Sequence, residues 1–399
     1  MSTRTQRQRT KRENLISRQV NKISPSGIRK FFDLLASMEG VISLGVGEPD
    51  YATPWHICES AVNSLEKGVT MYTSNQGTPE LRQVLSQYLK NAYGPEYNPA
   101  NELLITVGVS EALDLAARAI LNPGDEVIMP DPHYVSYDSC VILAGGIPVK
   151  VPTNEENDFE INAADIEERI TEKTKAILLG YPSNPTGAVM PREKLAEIAD
   201  VARRNNIVVI SDEIYAKLIY GVEHTCFASL PEMKENTILL GGFSKAYAMT
   251  GWRVGYAAAS KEIMAAMTKI HQYTIMCAPT MGQIAAVEAL KSGEHGVTEM
   301  VENYNMRRMV MVKGLRDIGL SCFEPKGAFY AFPSITSTGM NSEEFAEKLL
   351  TEEKVAVVPG SAFGKCGAGY VRCCYATSLR DIEEALSRIK RFVDRNKKS

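Results

Sequence analysis

The stretch TILLGGFSKAYAMTGWRVGYAA, residues 237–258, sets how the rest of the chain reads. Its ends, Thr237–Leu240 and Arg253–Ala258, are apolar runs of strand length, and the connection between them carries Ser244 and Lys245. Arg253 follows Lys245 by eight residues. An amine beside a hydroxyl and a guanidinium is what a phosphorylated aldehyde requires. The amine condenses with the carbonyl, while Ser244 and Arg253 hold the phosphate. This set of groups points to pyridoxal phosphate, and so to amino-acid chemistry.

Working outward, residues 100 to 260 alternate between short apolar runs and amphipathic helices. Leu103–Val107, Asp125–Pro130, Thr174–Leu179 and Ile207–Ser211 read as further strands, the last a β-branched run buried on both faces. Glu111–Leu121, Tyr134–Ala144 and Glu193–Asn205 read as helices. In the last of these, Leu195, Ile198, Ala199 and Ala202 recur at helical spacing. Such alternation predicts an α/β fold with a mostly parallel central sheet and helices on both faces. Ligands of such sheets bind beyond the carboxyl ends of the strands. Ser110, Tyr134, Asn184, Asp212, Ser244 and Lys245 each follow a predicted strand at that end.

The texture changes after about residue 290. A long polar helix over Gly296–Gly319 precedes Gly327-Ala328-Phe329-Tyr330 and a helix over Ser342–Glu353. Strands at Val355–Val358 and Tyr370–Tyr375 and a last helix over Asp381–Arg395 complete a smaller α+β domain. The expected division is a basic, disordered tail at 1–14, a small domain of 15–48 plus 291–399, and a large cofactor-binding domain of 49–290. The tail holds Arg4, Arg7, Arg9, Lys11 and Arg12 without an acidic residue.

Several residues acquire a role once the cofactor is considered. Asp212, at the end of a buried strand, can keep a pyridine nitrogen protonated, although alone it also reads as a helix N-cap. Tyr215 can donate to the ring's phenolic oxygen. Asn184, in Asn184-Pro185-Thr186-Gly187, can reach that oxygen and a substrate carboxylate, yet the tetrapeptide is also an ordinary turn. Val109 and Ser110 open a helix after a strand and form an anion site. Tyr134 can stack on the ring or serve as a core aromatic. Arg372, among apolar strand neighbours, suits an α-carboxylate or a structural ion pair. Gly47 can let backbone approach that carboxylate, or simply make a turn. No metal-ligand spacing is present, and the five histidines are dispersed.

Together these residues resemble the class I and II pyridoxal-phosphate-dependent aminotransferases of fold type I. The segment Gly242-Phe243-Ser244-Lys245, continuing through Ala248, Met249, Gly251 and Arg253-Val254-Gly255, is similar to that family's cofactor-attachment signature at each defined position. Within the family, Ser26–Asp33, Leu44–Asp50 and Val357–Gly364 look most like the aspartate and aromatic aminotransferase subgroup. The resemblance implies transfer of an amino group from an aromatic amino acid or aspartate to a 2-oxo acid, such as 2-oxoglutarate, by a ping-pong course. Catalytic roles fall to Lys245, Asp212 and Tyr215, and α-carboxylate binding to Arg372. It also implies a homodimer with shared sites, in which Tyr72 reaches the partner's phosphate. Some aspartate-specific members carry Lys where this chain has Ser110, which leans the expectation towards aromatic or broad donors. A C–S β-lyase, or an aminotransferase for kynurenine or diaminopimelate derivatives, shares the same cofactor residues and stays open.

Composition bounds the alternatives. Of the 399 residues, 44% are apolar and 23% charged, and the net charge is −4, which gives no footprint for nucleic acid. A cofactor-binding transcription regulator would need a helix-turn-helix domain ahead of this fold, and about fourteen residues precede it. The eight cysteines form no C-x-x-C pair and read as reduced thiols in a cytoplasmic protein. No apolar run approaches the ~18 residues of a membrane span.

Overall fold

The computed structural model describes residues 15–23 and 38–396; the basic tail and the Ser26–Asp33 motif lie outside the described residues. In chain order the elements are β1 (Ile42–Ser43), α1 (Trp55–Glu66), α2 (Pro79–Tyr93), β2 (Leu103–Thr106), α3 (Gly108–Ile120), β3 (Glu126–Asp131), α4 (Ser136–Leu143) and β4 (Ile147–Pro152). There follow α5 (Ala163–Glu167), β5 (Thr174–Leu179), α6 (Arg192–Arg204), β6 (Val208–Asp212), β7 (Thr237–Gly242), β8 (Gly255–Ala258), α7 (Lys261–Thr274) and α8 (Thr280–Ser292). The C-terminal part holds α9 (Glu294–Ile318), β9 (Tyr330–Ala331), α10 (Ser342–Glu353), β10 (Val355–Ala356), β11 (Val358–Pro359), β12 (Val371–Cys374) and α11 (Leu379–Asn396).

Seven strands form the central sheet in the order β2-β8-β7-β6-β5-β3-β4. β3 to β7 pair in parallel, while β8 runs antiparallel to both β2 and β7. Alternation along the strands feeds two cores. Leu104, Met129, Leu178, Ile210, Leu240 and Ala257 pack under α3 and α7. Ile105, Leu239 and Ala258 turn the other way, towards α2 and α8, and Ile128, Ile177 and Val209 turn towards α6. Both faces are therefore covered, which is why the strands read as near-continuous apolar runs.

The C-terminal elements build a separate apolar cluster. Leu315 and Met311 of α9, Phe345 and Leu349 of α10, and Ile382, Ile389 and Phe392 of α11 pack on Phe329, Val355 and Val371. Leu44, which follows β1, joins this cluster, and Ile42 pairs in parallel with Val355.

Three local expectations are corrected. The run Val355–Val358 is two strands: β10 pairs with β1, whereas β11 pairs with β12. Arg253 is not a strand residue. It sits at φ 55°, in the left-handed region, and β8 starts only at Gly255. The helix after Tyr134 begins at Ser136 rather than at the tyrosine. Strand β4 is an addition: it is an edge strand with Pro148, Lys150 and Pro152, so it presents no apolar run to read.

Candidate active site

The parallel strands end on one side, and the register fixes what meets there. Asp212, the last residue of β6, pairs with Leu240 of β7, two residues before Gly242 begins the turn to Ser244 and Lys245. A cavity of about 540 Å³ opens at this edge. It is lined by Val109 and Ser110 at the start of α3, by Tyr134, Asn184, Asp212 and Tyr215, and by Ser244, Lys245 and Arg253. Gly47 and Arg372 close it from the N-terminal and C-terminal segments. Tyr72 stands apart: it is 80% exposed and does not line the cavity of its own chain.

Lys245 is the reactive group of the set. Its Nζ donates to the Gly47 carbonyl at 2.6 Å and lies 5.9 and 5.8 Å from the ring centres of Tyr215 and Phe329. Burial, with the positive charges of Arg372 and Arg253 nearby, lowers its pKa from the usual lysine value to about 8. The amine therefore loses its proton, and becomes nucleophilic, at lower pH than an ordinary lysine.

Asp212 faces it. Burial raises this carboxyl to about 6, opposed by hydrogen bonds from the Tyr137 hydroxyl at 2.9 Å and the Ile214 amide at 3.2 Å. A buried carboxylate held with two neutral donors is prepared for a cation that the protein itself does not supply. Behind it, Glu213 turns to the other side and gathers Ser211 Oγ, the Phe227 amide and His224 Nε2 at 2.8, 2.9 and 2.6 Å. That buried knot fixes the strand end.

Arg372 makes the opposite kind of site. It is 4% exposed, and its partners are neutral: Asn184 Oδ1 at 2.9 Å and the Gly45 carbonyl at 2.8 Å. Its guanidinium lies 4.4 Å from the Tyr330 ring centre and 5.0 Å from that of Phe363. Its Nε is buried without a hydrogen-bond partner. A desolvated guanidinium with a spare donor suits a carboxylate.

In the same cavity, the turn from β2 into α3 is shaped for an anion. A side chain at Gly108 would meet Arg253 Nη2 at 2.6 Å, and one at Gly255 would meet the Val109 amide nitrogen at 2.6 Å. Gly108 itself has φ 71°. Glycine at both positions brings bare backbone and the Arg253 guanidinium together at a helix N-terminus.

Two residues of the site escape sequence reasoning. Tyr137 holds Asp212; its one signal is a second tyrosine three residues after Tyr134, and the two rings meet edge to face with centres 5.6 Å apart. Tyr330 joins three parts: its hydroxyl is 2.8 Å from that of Tyr215, its ring lies under Arg372, and a Cβ on Gly47 would stand 2.6 Å from its oxygen. A tyrosine within a short apolar run carries no mark that distinguishes it from core.

The group of side chains fits pyridoxal phosphate: a nucleophilic amine, an acid lacking its cation, an anion cup and a carboxylate receptor. Comparison with known proteins agrees. Residues 39–389 match the family model described as aminotransferase class I and II. The chain is 47% identical to an aspartate aminotransferase of Pyrococcus abyssi, over 96% of this chain and 99% of that protein. It is 44% identical to aromatic-amino-acid aminotransferase 2 of Thermococcus litoralis, over 96% and 99%. The solved structure of an aromatic aminotransferase from Pyrococcus horikoshii superposes with a TM-score of 0.88 at 45% identity, covering 92% of this chain and 99% of that one. The chain belongs to the class I and II aminotransferases, and it is an enzyme that transfers amino groups.

Proposed function

We propose that the protein binds pyridoxal phosphate on Lys245 and moves the amino group of an aromatic amino acid or aspartate to a 2-oxo acid, with 2-oxoglutarate as acceptor. When bound, the cofactor supplies the aldehyde that takes the amino group and the ring that accepts electrons released at the substrate α-carbon. Arg372 and Asn184 bind the substrate α-carboxylate, with Gly47 leaving room beside it. The Lys245 amine would act as general base and acid, holding and moving the proton at the substrate α-carbon. Asp212 would hold a proton on the ring nitrogen, and Tyr215 would donate to the ring's oxygen. Tyr134, which lines the same cavity, would pack on the ring. Ser110, Val109, Ser244 and Arg253 hold the phosphate.

The observation that carries this reading is the placement of Lys245, its Nζ bonded to the Gly47 carbonyl at 2.6 Å, in one cavity with Asp212 and Arg372. The names of the relatives support the donor classes. Ser110 lines the cavity without adding a positive charge, which favours aromatic over aspartate donors. A panel of amino donors with 2-oxoglutarate tests this: aromatic donors should give the highest kcat/KM, and Lys245→Ala should abolish turnover. Retained transamination in that variant would end the assignment.

The assembly belongs to the same proposal. Met71, Tyr72 and Tyr273 are 68%, 80% and 84% exposed. Their segments are tied together by Thr280 Oγ1 to the Met71 carbonyl at 2.7 Å and Asn75 Nδ2 to the Met276 carbonyl at 2.7 Å. A fixed apolar surface of this kind supports a homodimer in which Tyr72 enters the partner's cavity. The pairing of β1 with β10 supports grouping residues 15–48 with 291–399 as the small domain, and 49–290 as the large one. Eight free cysteines support a cytoplasmic, reducing setting. Among the described residues no helix is long and apolar enough to cross a membrane.

A further inference from the structure

The anion cup at Gly108–Ser110 lacks the usual side-chain cap. Val107, the residue before α3, makes no side-chain hydrogen bond to the helix. The carboxylate of Glu111 reaches back instead: its Oε2 accepts from the Val107 amide at 2.5 Å. Its other oxygen, Oε1, lies 2.6 Å from Nδ1 of His271, a side chain of α7 with no exposure at all. His271 Nε2 has no partner, so this one contact orients the ring.

Glu111 poses a problem for the cup. Carboxylates favour the first turn of a helix because the free amides there attract negative charge. The amides of Val109 and Ser110 are the ones a phosphate needs. An unrestrained Glu111 would compete for them and repel the dianion. His271 removes that competition by pinning the carboxylate against Val107, behind the turn. Thr106 Oγ1, donating to the Gly108 carbonyl at 3.0 Å, braces the same turn from inside the sheet.

We propose that Glu111 and His271 are a positioning pair that keeps the Val107–Ser110 turn open for the cofactor's phosphate. The inference rests on the pyridoxal-phosphate reading above and predicts an effect confined to the phosphate. The equilibrium affinity of the cofactor-free protein is measured for pyridoxal phosphate and for pyridoxal, which lacks the phosphate. In His271→Ala, affinity for pyridoxal phosphate should fall roughly tenfold, the scale of one lost charge-assisted hydrogen bond, with pyridoxal within about twofold of the parent. His271→Asn, whose amide nitrogen can replace Nδ1, should recover most of the loss. His271→Leu, which fills a similar volume without a ring nitrogen and so also frees the Glu111 carboxylate, carries the same comparison should the alanine at 271 prevent folding. Equal weakening of both ligands, or unchanged affinity for pyridoxal phosphate, overturns the inference. A parent protein that does not discriminate between the two ligands overturns the cofactor assignment itself, and the inference with it.

Discussion

The Tyr137 hydroxyl donates to Asp212 Oδ2 at 2.9 Å, and it does so across a position where only glycine fits, because a Cβ on Gly180 would overlap that hydroxyl. The acid lining the cavity is thus held by a residue of α4, and Gly180, just past the end of β5, leaves room for it. Tyr137 stacks in turn on His133 at 5.8 Å, so its ring has little freedom.

Tyr137→Phe removes a donor to the carboxylate and leaves the charged form less favoured. The pKa of Asp212 rises further above the usual aspartate range. The acid limb of the kcat/KM profile should move upward by about one pH unit, the equivalent of one hydrogen bond to a charged group. An unmoved acid limb would show that Tyr137 serves packing alone.

Gly180→Ala forces the Tyr137 ring aside and should cost about 1–3 kcal/mol of stability, as overpacked interiors do. The same shift breaks the bond to Asp212, so the acid limb of the kcat/KM profile should move upward as in Tyr137→Phe. Combined with Tyr137→Phe, the alanine should cost less than it does alone, since the overlapping oxygen is gone. Additive losses in denaturant melts of the three variants would contradict the geometry.

Lys245 has a depressed pKa for want of solvent, and that has a cost in the cofactor-free protein. Below about pH 8 the amine is protonated in both the folded and unfolded chains, and the burial penalty is fully present. Between about 8 and the ordinary lysine value the unfolded chain binds the extra proton, so stability should rise with pH. Lys245→Met should abolish this rise and stabilise the cofactor-free protein at neutral pH. Chemical denaturation across that pH range measures both effects, and an unchanged pH slope in the variant would argue against a buried, strained amine.

The sequence discloses the site unevenly, for physical reasons. Ser244, Lys245 and Arg253 are legible because they share one short connection. Asp212 and Asn184 are legible because strands of a parallel sheet end on one side, so the residues after them converge. Arg372 is conspicuous as a charge within an apolar strand. Tyr137 and Tyr330 are not, because their roles depend on which glycine stands opposite, 43 positions away at Gly180 and 283 at Gly47. The bond from Lys245 to the Gly47 carbonyl likewise spans 198 residues and has no local mark. The split of Val355–Val358 between two sheets follows from partners, Ile42 and Arg372, that lie in other parts of the chain.

The account stands on the Lys245 amine carrying the coenzyme. Purified protein incubated with pyridoxal phosphate, reduced with borohydride and digested should yield one peptide whose added mass maps to Lys245. Its formation rate should climb with a midpoint near pH 8, where the buried amine loses its proton. Absence of the adduct, its location on another lysine, or a midpoint at the ordinary lysine value would contradict the claim.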